Sequence, residues 1–245
     1  MIQLVLDLGN TALKAACFQE RTMIKSSSTL WTSSDEIEEA LLRMMVLNPS
    51  HVFVSSVAGK RKEVDLFLKR AELTASFLSP NTPIPIRNQY ETPETLGSDR
   101  LSNAVAAASL FPNCPCVIID SGTCIKFDFI TPNNEYFGGS ISPGIEMRFK
   151  ALHEFTARLP LLKRTESVYL IGKNTSESIQ SGVINGTLAE VKGILEQYQM
   201  THKDLKVILT GGDYALLERT IKTRVHVEPW LTLKGLNEIF LYQSH

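Results

Sequence analysis

Three acidic turns and one Asp-Arg pair concentrate the chemistry-bearing residues of this sequence. Asp7-Leu8-Gly9-Asn10-Thr11 follows a short apolar run, and Asp120-Ser121-Gly122-Thr123 follows another. In each, the glycine lets backbone approach a ligand closely and the neighbouring polar side chains supply donors, as a phosphate-holding turn requires. Asp7 repels a bare phosphate, so its use is through a cation or water lodged between carboxylate and phosphate oxygens. One such turn alone reads equally well as a polar hairpin tip. Its repetition, with Thr210-Gly211-Gly212-Asp213 after a third apolar run, points instead to two hairpins gripping one triphosphate. Asp99-Arg100 opens a helix-forming run, where a carboxylate can take a hydroxyl proton. Arg100 can pair with a substrate carboxylate or with developing phosphate charge, and the sequence leaves both open.

The elements that must position these groups alternate between strand and helix, which favours an α/β fold. Gln3 to Leu6 and Ala12 to Phe18 read as strands around the first turn. Ser33 with Glu36 is a capping box for a helix carrying Ile37, Leu41, Met44 and Met45. His51 to Val57 reads as a strand, and Glu63 to Glu72 as a helix with Val64, Phe67 and Leu68 inward. Four prolines between Ser79 and Leu96 make that stretch a loop or linker. After Pro115 the strand-turn-strand unit returns with Cys116 to Ile119 and Ile125 to Ile130. A long helix is expected from about Ser176 to Tyr198, a strand at Lys206 to Leu209, and a closing helix after Gly235.

The 25 lysines and arginines balance 26 aspartates and glutamates, which is no footprint for nucleic acid. No apolar stretch approaches the roughly 20 residues a membrane span needs, and the N-terminus meets Asp7 early, so we expect a cytoplasmic protein. Cys17, Cys114, Cys116 and Cys124 fit no common zinc or redox spacing and read as ordinary thiols, and the five histidines show no paired ligand spacing.

The two acidic hairpins resemble the superfamily of actin, the Hsp70 chaperones and sugar kinases, which implies two ribonuclease-H-like domains with a cleft between them, here divided as 1–114 and 115–245. A further segment, Tyr90, Pro93 and Leu96-Gly97-Ser98-Asp99-Arg100-Leu101, resembles the pantothenate-binding signature of type III pantothenate kinases. Gly138-Gly139-Ser-Ile-Ser-Pro143-Gly144, Thr156-Ala-x-Leu-Pro160, Gly172-Lys-Asn-Thr175-x-x-Ser178 with Gly182, Thr210-Gly-Gly-Asp213 and Leu233-Lys-Gly-Leu236 match that family in order, over effectively the whole chain. The resemblance implies ATP-dependent phosphorylation of pantothenate, the first step of coenzyme A biosynthesis. It implies Asp99 as proton acceptor, with Tyr90, Gly97, Ser98, Asp99, Arg100 and Thr175 as substrate contacts. Asp7, Leu8, Gly9, Asn10, Thr11, Ala12, Leu13, Lys14 and Thr123 are implied for ATP, and Asp120 as ligand of a monovalent cation, K⁺ or NH₄⁺, beside Mg²⁺ carried with ATP. A homodimer, its pantothenate pocket completed by the neighbouring subunit, is implied too, which suits Thr156 and Thr175 standing far along the chain from Asp99.

Two positions depart from the family pattern. Alanine and threonine are usual where Cys124 and Lys126 stand. Cys124 is a near-isosteric replacement. An ammonium within a few ångströms of Asp120 competes with a monovalent cation for that carboxylate; strand alternation favours the opposite expectation, that Lys126 turns outward. The alternative from another functional class is a non-catalytic, transcription-regulating relative of the same fold. Retention of Asp7, Asp99, Arg100 and Asp120 argues against it.

Overall fold

The computed structural model describes residues 1–31, 33–56, 61–165 and 168–243. In chain order the elements are β1 (Ile2–Leu8), β2 (Ala12–Gln19), β3 (Thr22–Leu30), α1 (Ser34–Met45), β4 (His51–Ser56), α2 (Arg61–Arg70), β5 (Ala75–Phe77), β6 (Arg87–Asn88), α3 (Ser98–Leu110), β7 (Cys116–Ser121), β8 (Cys124–Ile130), β9 (Glu135–Pro143), α4 (Ile145–Glu154), α5 (Thr175–Thr201), β10 (Lys206–Thr210), α6 (Tyr214–Glu218), β11 (His226–Val227) and α7 (Leu231–Gln243), with a 3-10 turn at Pro93–Thr95. They group into two compact units, residues 1–113, 130–137 and 230–245 in the first and 114–129 and 138–229 in the second.

The first unit is built on a sheet of order β3-β2-β1-β4-β5. β1 runs antiparallel to β2 and parallel to β4, which is itself parallel to β5. Leu4, Leu6, Leu8, Leu13, Ala15, Val52 and Val54 bury one face of it beneath Ile37, Leu41 and Met44 of α1 and Val64, Phe67 and Leu68 of α2, the period-2 and period-3.6 patterns meeting as expected. The Ser33 side chain accepts from Glu36 N and caps α1. β4 ends at Ser56, and Val57, expected at its end, lies outside the described residues.

The second sheet has the order β11-β10-β7-β8-β9-β6. Read from β9 to β11 it is β9-β8-β7-β10-β11, the same succession as β3-β2-β1-β4-β5. The repeated acidic turn is thus the trace of a repeated topology, each copy with its Asp near the end of the central strand. Val117, Ile119, Ile125, Phe127, Val207 and Leu209 form the core face, covered by Val191 and Leu195 of α5 and Leu217 of α6.

Two expectations are corrected. The closing helix starts at Leu231, four residues before Gly235, and residues 230–245 and 130–137 group with the first unit rather than with 115–245. The reason lies in α7 itself: Leu231, Leu233, Leu236 and Ile239 are buried, and a side chain at Gly235 would stand 1.8 Å from the Ser102 carbonyl oxygen of α3. Gly235 is therefore a contact point between two helices and not a helix start.

Candidate active site

In the first unit, Gly9, Asn10 and Thr11 form the tip joining β1 to β2, closed by Gly9 N donating to Ala12 O at 3.2 Å. Asp7 sits one residue before the end of β1, only 7% exposed, and its register partner across the hairpin is Lys14. Asn10 and Thr11 are exposed, and Ala12 and Lys14 partly so. Leu8 and Leu13 turn into the core, so only their backbone can serve a ligand. Trp31 braces the turn from outside, its Nε1 donating to Gly9 O at 2.7 Å and its backbone N to Thr11 O at 3.2 Å. No motif or spacing in the sequence points to that brace.

Asp99 and Arg100 open α3, as the helix-forming run implies, but Gly97 is the N-cap residue and no side chain caps the helix. Asp99 Oδ1 accepts from Arg100 N at 2.9 Å, satisfying one of the first-turn N–H groups of the helix. Arg100 is 4% exposed, and its guanidinium carbon lies 5.5 Å from the centre of the Tyr90 ring, which in turn stacks on Tyr136 at 6.3 Å. A cation over an aromatic face is held in place as well as attracted. Ser98 Oγ accepts a hydrogen bond of 2.7 Å from Ser55 Oγ at the end of β4, and Ser55 is the register partner of Asp7 in the parallel β1–β4 pair. One buried serine therefore joins the strand of the first acidic turn to the helix that carries Asp99. Ser55 belongs to no motif of the sequence, although two serines ending an apolar strand are a signal, since ligands of α/β sheets gather at strand C-terminal ends.

In the second unit, the residues of β7, β8 and β10 that do not face the core share the opposite face. Val117 and Ile119, Ile125 and Phe127, and Val207 and Leu209 point inward. Period-2 alternation then sends Asp120, Cys124, Lys126 and Thr210 to the other side, and Thr210 pairs with Asp120 in register. Lys126 Nζ lies 2.7 Å from Asp120 Oδ2, with the two side chains 15% and 12% exposed. The expected outward turn of Lys126 is overturned: alternation does carry it away from the core, but onto the face Asp120 occupies.

The neighbouring segments close around this pair. Gly211 has φ +89°, and a side chain there would stand 2.6 Å from Asp120 Oδ1 and 2.2 Å from the Ser121 carbonyl oxygen. Asp213 N donates to that same oxygen at 3.0 Å, and Gly144 N donates to Thr123 O at 3.1 Å. Thr123 is left exposed at the tip. Arg164, which the sequence did not single out, holds Asp213 at 2.7 Å. Burial raises the Asp213 pKa, against the lowering influence of Arg164. Thr175 is exposed in the first turn of α5, which is capped by Asn174 accepting from Glu177 N.

A monovalent cation on Asp120 does not fit these residues. One carboxylate oxygen already faces the Lys126 ammonium and the other faces the Gly211 backbone, and a second positive charge beside the first is disfavoured.

The sequence profile of the type III pantothenate kinases matches residues 3–197. The type III pantothenate kinase of Cytophaga hutchinsonii is 41% identical over 242 residues, covering 98% of this chain and 99% of that protein. Among solved structures, a conserved Campylobacter jejuni protein provisionally assigned as a Baf family transcriptional activator has a TM-score of 0.63 at 21% identity, over 98% of each chain. Lmo2764 of Listeria monocytogenes, provisionally an N-acetylmannosamine kinase, has a TM-score of 0.54 at 14% identity over 100% of each. At those identities the structures speak to fold alone: the α/β fold built on two sheets, of five and six strands, is shared with both.

Proposed function

The chain belongs to the type III pantothenate kinase family, and from that premise we propose how its residues carry the ATP-dependent phosphorylation of pantothenate. The family reaction uses a nucleotide and a divalent metal, written here as the substrate MgATP. Asn10, Thr11 and Lys14 on the first hairpin and Thr123 on the second donate to its phosphates, with the backbone from Asp7 to Leu13 shaping the first loop. Asp7 acts on the phosphates through the hydrated metal. Pantothenate lies against Tyr90 and Gly97 to Arg100, with Thr175 as a further contact. Asp99 accepts the proton of the substrate hydroxyl as its oxygen bonds to the γ-phosphorus. The bond to the β-phosphate oxygen breaks, releasing ADP. Positioning and charge neutralisation do most of this work, since a loose phosphoryl-transfer transition state asks little covalent help.

The observation that carries the reading is the Ser55–Ser98 hydrogen bond, which couples the Asp7 strand to the Asp99 helix within one unit. The burial of Arg100 and its place over the Tyr90 ring support assigning it to the substrate carboxylate in this reading. A homodimer is part of the proposal. Phe155, Tyr169, Leu170 and Ile171 are apolar and each more than two-thirds exposed, which suits a face that a second copy covers. We place the enzyme in the cytoplasm; among the described residues no helix is long and apolar enough to cross a membrane. The transcription-regulator alternative is not favoured, resting on a fold likeness against full-length identity to kinases.

A coupled assay of purified protein with MgATP and pantothenate, a panel of hexoses, or no acceptor tests the reading. ADP release that depends on pantothenate is expected. Turnover on a hexose alone, or none with any acceptor, overturns it.

A further inference from the structure

We propose that Lys126 is a built-in monovalent cation: its ammonium holds the position on Asp120 that a free K⁺ or NH₄⁺ would take, and frees this enzyme from dependence on either. The inference rests on the reading of Asp120 as part of the second phosphate loop. The geometry is that of a seated ion, with Nζ 2.7 Å from Oδ2 and both side chains largely withdrawn from water. Chemically, a lysine head is an ammonium ion on a tether. A free ion gives up translational freedom and hydration to bind, whereas a side chain anchored on the adjacent strand is already in place. Partial burial also shields the pair from the screening that weakens exposed ion pairs.

The surrounding backbone supports a fixed occupant. The Gly211 backbone lies against the other oxygen of the Asp120 carboxylate, where an added Cβ would stand 2.6 Å from Oδ1, so the side of the carboxylate away from Lys126 is occupied by protein. The first hairpin repeats the pattern, with Lys14 the register partner of Asp7. Each acidic turn thus has a lysine of the returning strand at its carboxylate's level, Lys14 by register and Lys126 by direct contact. Lys126 acts through Asp120: it keeps the carboxylate neutralised and oriented beside the Thr123 tip, so that phosphate oxygens meet donors and not an unbalanced negative charge.

The test compares pantothenate phosphorylation in choline, sodium, potassium and ammonium buffers for wild type, Lys126→Ala and Lys126→Met. Wild type is expected to run at rates within about twofold in all four, the charge at Asp120 being internal and little screened. Lys126→Ala, which opens space beside the carboxylate, is expected to lose at least about tenfold in choline and to regain activity in potassium or ammonium, because a carboxylate that has lost the Lys126 ammonium repels phosphate. Lys126→Met fills the same space without charge and is expected to stay slow in every buffer. Crystals grown in rubidium give a readout independent of turnover: an anomalous peak on Asp120 in Lys126→Ala and none in wild type. A wild type that requires potassium as strongly as Lys126→Ala does, or that shows rubidium on Asp120, overturns the inference. If no protein phosphorylates pantothenate in any buffer, the kinase reading fails by itself, and the rubidium maps still decide what Lys126 does.

Discussion

Ser55 Oγ donates to Ser98 Oγ at 2.7 Å from a fully buried position at the end of β4. The bond ties the N-terminus of α3 to the strand beside Asp7. Removing it with Ser55→Ala leaves the Ser98 hydroxyl without this donor, a loss of about 1 kcal/mol, or roughly fivefold. We expect urea unfolding to register that loss and kcat/KM for pantothenate to fall by at least as much, while KM for ATP holds. Unchanged kinetics in a destabilised variant would show that the bond serves folding only.

Asp99 bears the proton transfer in the proposed reaction. Asp99→Asn keeps the shape and removes the base, so turnover should fall by about 10² to 10⁴. Calorimetric titration with ATP should give an affinity close to wild type, since the phosphate donors are untouched. A variant that retains near wild-type turnover would take Asp99 out of its role.

Two glycines separate catalytic from structural crowding. A Cβ at Gly97 would stand 2.5 Å from Asp99 Oδ1, the end of a side chain that can swing aside. Gly97→Ala should therefore cost little stability but displace the base, lowering kcat with a small change in melting temperature. At Gly235 the obstacle is the Ser102 backbone oxygen at 1.8 Å, which moves only if α3 and α7 part. Gly235→Ala should lower stability by about 1 to 3 kcal/mol, as overpacking does. Thermal melts and steady-state rates on both variants check the contrast; equal stability losses would sink it.

What the sequence made legible was what chain-local rules govern. The capping box at Ser33, the inward Val64, Phe67 and Leu68, and the twin acidic turns all follow from spacing and side-chain type. Lys126 shows where such rules stop. Alternation says that a residue leaves one face of a sheet, but not what waits on the other; that depends on which strand lies alongside and in what register. Ser55 and Trp31 were opaque for the same reason, their partners Ser98 and Gly9 being 43 and 22 positions away. Contiguity in sequence places the C-terminal helix with the residues before it, whereas buried side chains and the Gly235 approach bind α7 to α3.

The cysteines offer a probe of the second phosphate loop. Burial pushes the Cys17 thiol up to about 11 and the Cys116 thiol up to about 12, so both hold their protons at neutral pH and are poor nucleophiles. Cys114 and Cys124 are only partly buried, and Cys124 follows Thr123 on the face that carries Asp120. Iodoacetamide should label Cys114 and Cys124 in the folded protein and spare the other two. MgATP should slow labelling at Cys124 and leave Cys114 unchanged, as peptide mapping by mass spectrometry would read out. The raised folded-state values also fix a sign for stability. Both thiols favour the folded state below the unfolded value of 9.0, and that contribution is lost as pH rises through about 11 and 12. Alkylation of Cys17 and Cys116 should accordingly accelerate with alkali. Equal protection of Cys114 and Cys124 by MgATP would deny the nucleotide its place at the Thr123 turn.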